Sequence, residues 1–177
     1  FRGREAMFLV MLATMMIPYQ VTMIPMYISF TKIGWVDTFL PLIVPALFAQ
    51  PFYVFLCRQY IMTIPYELDE AARIDGCGTW QILFRVLAPI CKPAATMIVI
   101  FIFMWHWGDF LGPLIYLTSE ANYTVALGLS VFRGRILGTE WNLLMAASLV
   151  ATIPPLVLYY LAQDYIIGGI ASFGLKG

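Results

Sequence analysis

Charge is what this sequence has least of. Asp, Glu, Lys and Arg make up 11% of 177 residues and hydrophobic residues 62%, whereas soluble domains carry roughly 25% charged residues. Ten basic side chains balance ten acidic ones, so no basic surface offers itself to nucleic acid. A soluble chain of this makeup would leave large apolar patches in water, and 16% aromatic residues are too many for a disordered one. Histidine occurs once, as His106. With no Cys, His or acid cluster beside it, it is a poor basis for metal binding or catalysis. Cys57, Cys77 and Cys91 form no C-x-x-C pair, which removes support for a zinc or thiol-redox motif and leaves small apolar packing as their expected role. A glycine-rich nucleotide loop is missing as well, so the chain is not expected to hydrolyse ATP by itself, and no cofactor is implied. It opens on Phe1 without a signal-peptide pattern, and a preceding N-terminal part is expected. These absences leave a membrane protein.

A membrane-crossing helix needs about 20 apolar residues. Four uncharged runs qualify or nearly so: Ala6–Thr31, Thr38–Cys57, Pro93–Gly108 and Trp141–Gln163. Ile90 and Cys91 extend the third past Lys92, whose ammonium can snorkel to the interface. The runs are continuous rather than alternating, which excludes a β-barrel and predicts an all-α, polytopic transmembrane bundle with four spanning helices. Prolines 18, 25, 41, 45, 51, 154 and 155 fall within these runs. Kinks are expected at them, tolerated because neighbouring groups can satisfy the freed carbonyls.

The direction follows from the charges. With both ends inside, Arg2, Arg4, Arg58, Arg73, Arg85, Lys92 and Lys176 are cytoplasmic, and only Lys32, Arg133 and Arg135 are external. The positive-inside rule selects this orientation over its reverse. The loop of residues 59–91 then faces the cytoplasm and the stretch Pro113–Glu140 faces outward.

That inner loop is the most informative segment. Pro65 suits the first turn of a helix. Glu67, Asp69 and Glu70 near its start and Arg73 near its end match the helix dipole, with Asp69 and Arg73 spaced for an ion pair. Gly76 can take the left-handed conformation that ends the helix. Leu68, Ala71 and Ala72 are expected on one face, the alanines admitting a close backbone; the pattern fits an ordinary solvated loop helix and also a knob that enters a groove on a soluble partner. A second short helix is expected after Thr79, with Trp80, Leu83, Phe84 and Leu87 on one face and Pro89 as its stop.

Glu70-Ala71-Ala72, then Gly76, then Val86-x-Ala88-Pro89 resembles the EAA loop of ABC-transporter permeases, whose pattern runs E-A-A, three residues, G, nine residues, I-x-L-P. Val86 and Ala88 are conservative departures. Trp107, Asp109, Phe110, Pro113 and Leu114 are similar to the W-N-D-F-x-x-P-L segment of sugar permeases, with Gly108 in place of Asn. The ending Gly169–Gly177 is similar to that group's G-L-T-A-G-A-V-K-G, so the resemblance is nearest to the MalG-like carbohydrate branch.

The resemblance implies a MetI-like type I importer permease over residues 1–177, in a bacterial inner membrane, with about two helices before Phe1. It implies a coupling helix whose contacts are Glu70, Ala71, Ala72, Asp75 and Gly76. The partners it implies are two cytoplasmic ATP-binding subunits, a second permease subunit in a heterodimer, and an extracellular or periplasmic solute-binding protein. The cargo would be a sugar or oligosaccharide, with another small polar solute as the alternative.

Trp107, Asp109 and Asn142 are the candidate pathway residues. Trp105 and Trp107 can stack on sugar rings or anchor at the interface. Asp109 can line an outer gate or cap the next segment. Asn142, like Gln20 and Gln50, can bond between helices or face the path. Asn122-Tyr123-Thr124 also fits the N-x-[ST] pattern.

Overall fold

The computed structural model describes residues 2–48, 50–133 and 140–174, with side chains from residue 164 onward left aside. Arg135 and the Leu175–Gly177 tail, counted above for topology and family likeness, lie outside the described residues. All regular structure among the described residues is helical: α1 (Arg4–Thr14), α2 (Tyr19–Lys32), α3 (Leu40–Ile43), a 3-10 turn (Pro45–Leu47), α4 (Pro51–Ile61), α5 (Glu67–Ile74), α6 (Thr79–Ile90), α7 (Lys92–Trp107), α8 (Leu111–Tyr116), a second 3-10 turn (Glu120–Asn122), α9 (Val125–Val131) and α10 (Trp141–Gly174).

Two of the four expected spans are found without a sharp bend, over Leu40–Ile61 and Trp141–Gln163. The other two are bent. α1 and α2 meet at 87°, and α6 and α7 meet at 70° across Cys91, so the count reaches four only if each bent pair is one span. The first break has a local cause. Pro18 is extended (φ −62°, ψ 137°) immediately before α2, and its ring disfavours helical geometry at Ile17.

Three of the seven prolines expected to kink helices instead begin them. Pro41, Pro45 and Pro51 stand in the first turns of α3, the 3-10 turn and α4, where a missing N–H costs nothing. Only Pro25, Pro154 and Pro155 lie inside helices.

The chain forms two compact units. In residues 1–51 and 103–158, Pro41, Gly112, Pro113, Tyr116, Leu117, Leu127 and Leu144 are buried. α3 packs on α8, and a Cβ added at Gly112 would lie 3.2 Å from Leu42 Cδ2 and 2.6 Å from Asp109 Oδ2, so glycine permits that approach. Phe30 stacks on Trp35 and meets Tyr116 edge-on, each pair at 5.5 Å between ring centres. In residues 52–102 and 159–177, Ala72, Ile82, Ala94, Met97, Ile100 and Ala162 are buried, and α5 packs on α6. Outside these small cores α10 turns Leu149, Val150, Tyr160 and Leu161 outward, the exposure of a chain whose solvent is lipid.

Candidate functional site

α5 is built as the sequence predicts at both ends. Glu67, Asp69 and Glu70 occupy its first turn and Arg73 its last. Gly76 is left-handed at φ +81°. Its N–H donates to Arg73 O (3.0 Å), and the Cys77 N–H donates to Ala72 O (2.9 Å). These two bonds are the paired closure of a Schellman motif, which satisfies carbonyls the helix end would otherwise orphan. Pro65 lies just before the helix, its carbonyl accepting from Leu68 N.

The five candidate coupling residues divide. Glu70, Ala71, Asp75 and Gly76 are exposed at the tip, whereas Ala72 is 7% exposed and turned inward. Adjacent helical residues point about 100° apart, so Ala71 and Ala72 do not share a face as expected: Leu68 and Ala71 look out while Ala72 lets α5 sit close on α6. The expected Asp69–Arg73 pair does not form. Arg73 reaches Tyr66 Oη (3.4 Å), and Asp69 Oδ1 is buried without a hydrogen-bond partner, because Asp69 turns toward the packed side with Ala72. Ile74, 86% exposed beside the glycine cap, is a tip residue that sequence reasoning missed. Its signal was an apolar side chain in the last turn of an otherwise acidic helix.

α6 departs further from expectation. Ile82, not the Trp80/Phe84 face, is buried. Trp80 and Phe84 stack on each other in the open (6.1 Å, 14° between planes). Residues Ile82–Leu87 take wide π-type turns, and Pro89 does not stop the helix. It sits in the first turn of the segment Ala88–Ile90 that follows, a position without need of an N–H. Gly78 N–H donates to Gln81 Oε1 (2.8 Å) at the start of α6, and Tyr60 Oη donates to Ile90 O (3.2 Å) at its end.

The three candidate pathway residues are not gathered at one point. Trp107 Nε1–H donates to Ala151 O in α10 (3.0 Å), and its ring stacks on Phe103 (5.4 Å). Ala151 is four residues before Pro155, so the proline's missing N–H leaves that carbonyl without its helical donor, and the indole replaces it. Asp109 Oδ1 accepts from Gly112 N (3.1 Å) in the first turn of α8. Asn142 is exposed in the first turn of α10, nine residues from Ala151 and so roughly 13 Å along the helix.

On the segment expected to face outward, Asp37 organises a clamp that the sequence did not disclose. It is itself left-handed (φ 63°), a conformation Asp tolerates. Its N–H donates to Tyr116 O (2.7 Å). Its carboxylate accepts from Thr118 N (2.9 Å), Ser119 N (2.8 Å) and the Ser119 hydroxyl, and its carbonyl accepts from Asn122 Nδ2 (2.9 Å). The Asn122 amide is thus engaged within the fold, which disfavours its reading as a glycan acceptor.

The Ser119 hydroxyl first, then the Ser119 and Thr118 backbone amides, hold the Asp37 carboxyl well below its usual value of 3.8. A depressed folded-state pKa stabilises the fold above the unfolded value, and that contribution disappears as pH falls through the folded one. Asp37→Asn should therefore lower the thermal midpoint by a constant amount between about pH 5 and pH 8, with the gap to wild type narrowing only below about pH 4. A gap that closes within the neutral range would contradict the clamp.

A model of the family described as binding-protein-dependent transport system inner membrane component matches residues 1–171. The chain belongs to this family. It is 35% identical over its whole length to the arabinooligosaccharides transport system permease protein AraQ of Halalkalibacterium halodurans, covering 63% of that protein. It is 32% identical over 99% of its length to the osmoprotective compounds uptake permease protein GgtD of Synechocystis, covering 59% of it. The chain thus spans about three fifths of the length of the curated relatives it matches. A crystal structure of a bacterial ABC transporter involved in import of the acidic polysaccharide alginate shares its fold, with a TM-score of 0.78, 23% identity, and coverage of 93% of this chain and 62% of that one. Family membership makes the chain part of an inner-membrane component of a binding-protein-dependent transport system, in keeping with the helical fold and the apolar exterior.

Proposed function

We propose that the chain is the membrane-embedded permease part of an ATP-driven importer that passes a sugar or oligosaccharide handed over by a solute-binding protein. Residues 1–177 form the permease domain, both ends lie on the cytoplasmic side, and residues 59–91 are the inner loop. ATP is hydrolysed by a separate pair of subunits, and a second permease subunit completes the pathway.

The observation that carries the reading is the tip of α5. It is a short acidic helix closed by a left-handed glycine, held on α6 through Ala72, with Glu70, Ala71, Ile74, Asp75 and Gly76 open to a partner. A rigid projection of this kind transmits displacement as a body. Of the pathway residues, Asn142 is exposed and free to meet solute, while Trp107 ties its helix to Ala151 of α10 and Asp109 bonds the first turn of α8.

The carbohydrate reading is supported by the arabinooligosaccharide relative. Import of another small polar solute is supported by the osmoprotectant relative. Reconstitution of the full-length protein with its ATPase pair, second permease and binding protein separates them. ATP-dependent uptake of labelled arabinooligosaccharide is expected. Uptake of a compatible solute alone would select the second reading, and uptake of neither with or without ATP would refute both.

A further inference from the structure

We infer that α6 is a lipid-facing helix lying in the inner headgroup layer, with the Trp80/Phe84 face turned to the bilayer and Arg85 and Lys92 toward anionic headgroups. Depth supplies the first argument. α7 has 16 residues and is about 24 Å long, less than the roughly 30 Å of hydrocarbon it must help to cross. Its first residue, Lys92, therefore lies no farther out than the headgroups. α6 is joined to it by Cys91 alone and leaves at 70°. A 12-residue helix at that angle to a transmembrane axis climbs only about 6 Å along the normal, so α6 stays at that depth.

Side chains supply the second argument. Trp80 is 73% and Phe84 67% exposed, and the two rings stack into one flat apolar surface. Trp is enriched at the membrane interface, and a helix with such a face binds the headgroup boundary in proportion to the apolar area it buries. Charge supplies the third. From Cys77 to Trp107 there is no Asp or Glu, while Arg85 and Lys92 are present and exposed. α5, with Glu67, Asp69 and Glu70 in its first turn, has the opposite sign and is repelled by an anionic leaflet. The loop is thereby divided, α5 toward a protein and α6 toward lipid.

The inference rests on the inward placement of the loop. The test uses the full-length protein with Phe84→Cys in a background of Cys57→Ser, Cys77→Ser and Cys91→Ser. The new thiol carries an environment-sensitive fluorophore, and the protein is reconstituted in phosphatidylethanolamine/phosphatidylglycerol vesicles. Quenching by a lipid-borne quencher placed near the headgroups should exceed quenching by one at the chain end about twofold or more, with or without the ATPase subunits. Full quenching by aqueous iodide and none by lipid would overturn the inference, and lipid-independent protection appearing only with the ATPase subunits would give the face to protein instead.

A second measurement avoids the cysteine background. Withdrawing phosphatidylglycerol should lower the thermal midpoint of the wild type more than that of Arg85→Gln, and leave Arg85→Gln with Lys92→Gln least moved; an equal fall in all three would count against the headgroup contact. An impermeant thiol reagent applied to Ala71→Cys in sealed right-side-out vesicles separates the two readings. Labelling from outside would defeat the proposed orientation while leaving lipid burial of Phe84 to be judged on its own data.

Discussion

Gly76→Val is expected to cut transport by about tenfold while basal ATP hydrolysis and membrane insertion persist. Gly76 sits at φ +81°, and a Cβ there would meet nothing within 4 Å. Within the chain a Cβ is therefore not crowded, and the expected penalty is the conformational one. A non-glycine residue in the left-handed region costs roughly 1–2 kcal/mol, with β-branched side chains at the upper end, and 1.4 kcal/mol corresponds to about tenfold in a rate or equilibrium. The chain can relieve this strain only by giving up the two bonds that close α5, which swings Asp75 and Ile74 away from the tip. Gly76→Asn should retain most of the transport, since Asn tolerates the conformation, and Gly76→Ala should fall between. Uptake and ATPase rates measured on the same reconstituted complexes check the ordering. Equal transport by all three variants would mean that the helix end is not where motion enters the membrane part.

The second large effect concerns Trp107. Its indole fills the vacancy that Pro155 creates at Ala151 O through a part-buried bond, within a run apolar enough to cross a membrane. Trp107→Phe should therefore destabilise by about 1–3 kcal/mol, the cost of a buried acceptor left unmade. In a Pro155→Ala background the helix supplies its own donor to Ala151, and the same Trp107→Phe change should cost under about 0.5 kcal/mol beyond lost packing. The resulting coupling, within the 0.5–3 kcal/mol range seen for residues sharing one network, is read from a double-mutant cycle of unfolding in detergent. Additive effects would show that the indole serves only as apolar filling.

These two residues also mark how far the sequence could be read. Everything α5 needs is local. Acids in the first turn, Arg73 in the last and Gly76 after it are a pattern within ten residues, and local patterns decide helix ends. Trp107 and Asp37 depend on partners 44 and more than 80 residues away, and no periodicity reveals such a meeting. Pro155 announces a carbonyl in want of a donor but not which side chain will arrive. The apolar runs locate the membrane segments and Pro18 marks the bend before Tyr19, yet length and hydropathy do not encode direction, so the bend at Cys91 was invisible in them. Ala72 was legible as small but not as inward, because a helix with alanines on two adjacent positions offers either to its neighbour.

The bond from Tyr60 to Ile90 spans 30 residues of sequence and cinches the excursion that carries α5 at its neck. On the proposed role of the loop, a pull at the far end is felt by both legs of the stirrup together, rather than being absorbed by whichever strap is slacker. Slack introduced by extra residues near Thr63 would stay above the knot, leaving the helices beneath it seated while the stroke delivered to them shortens.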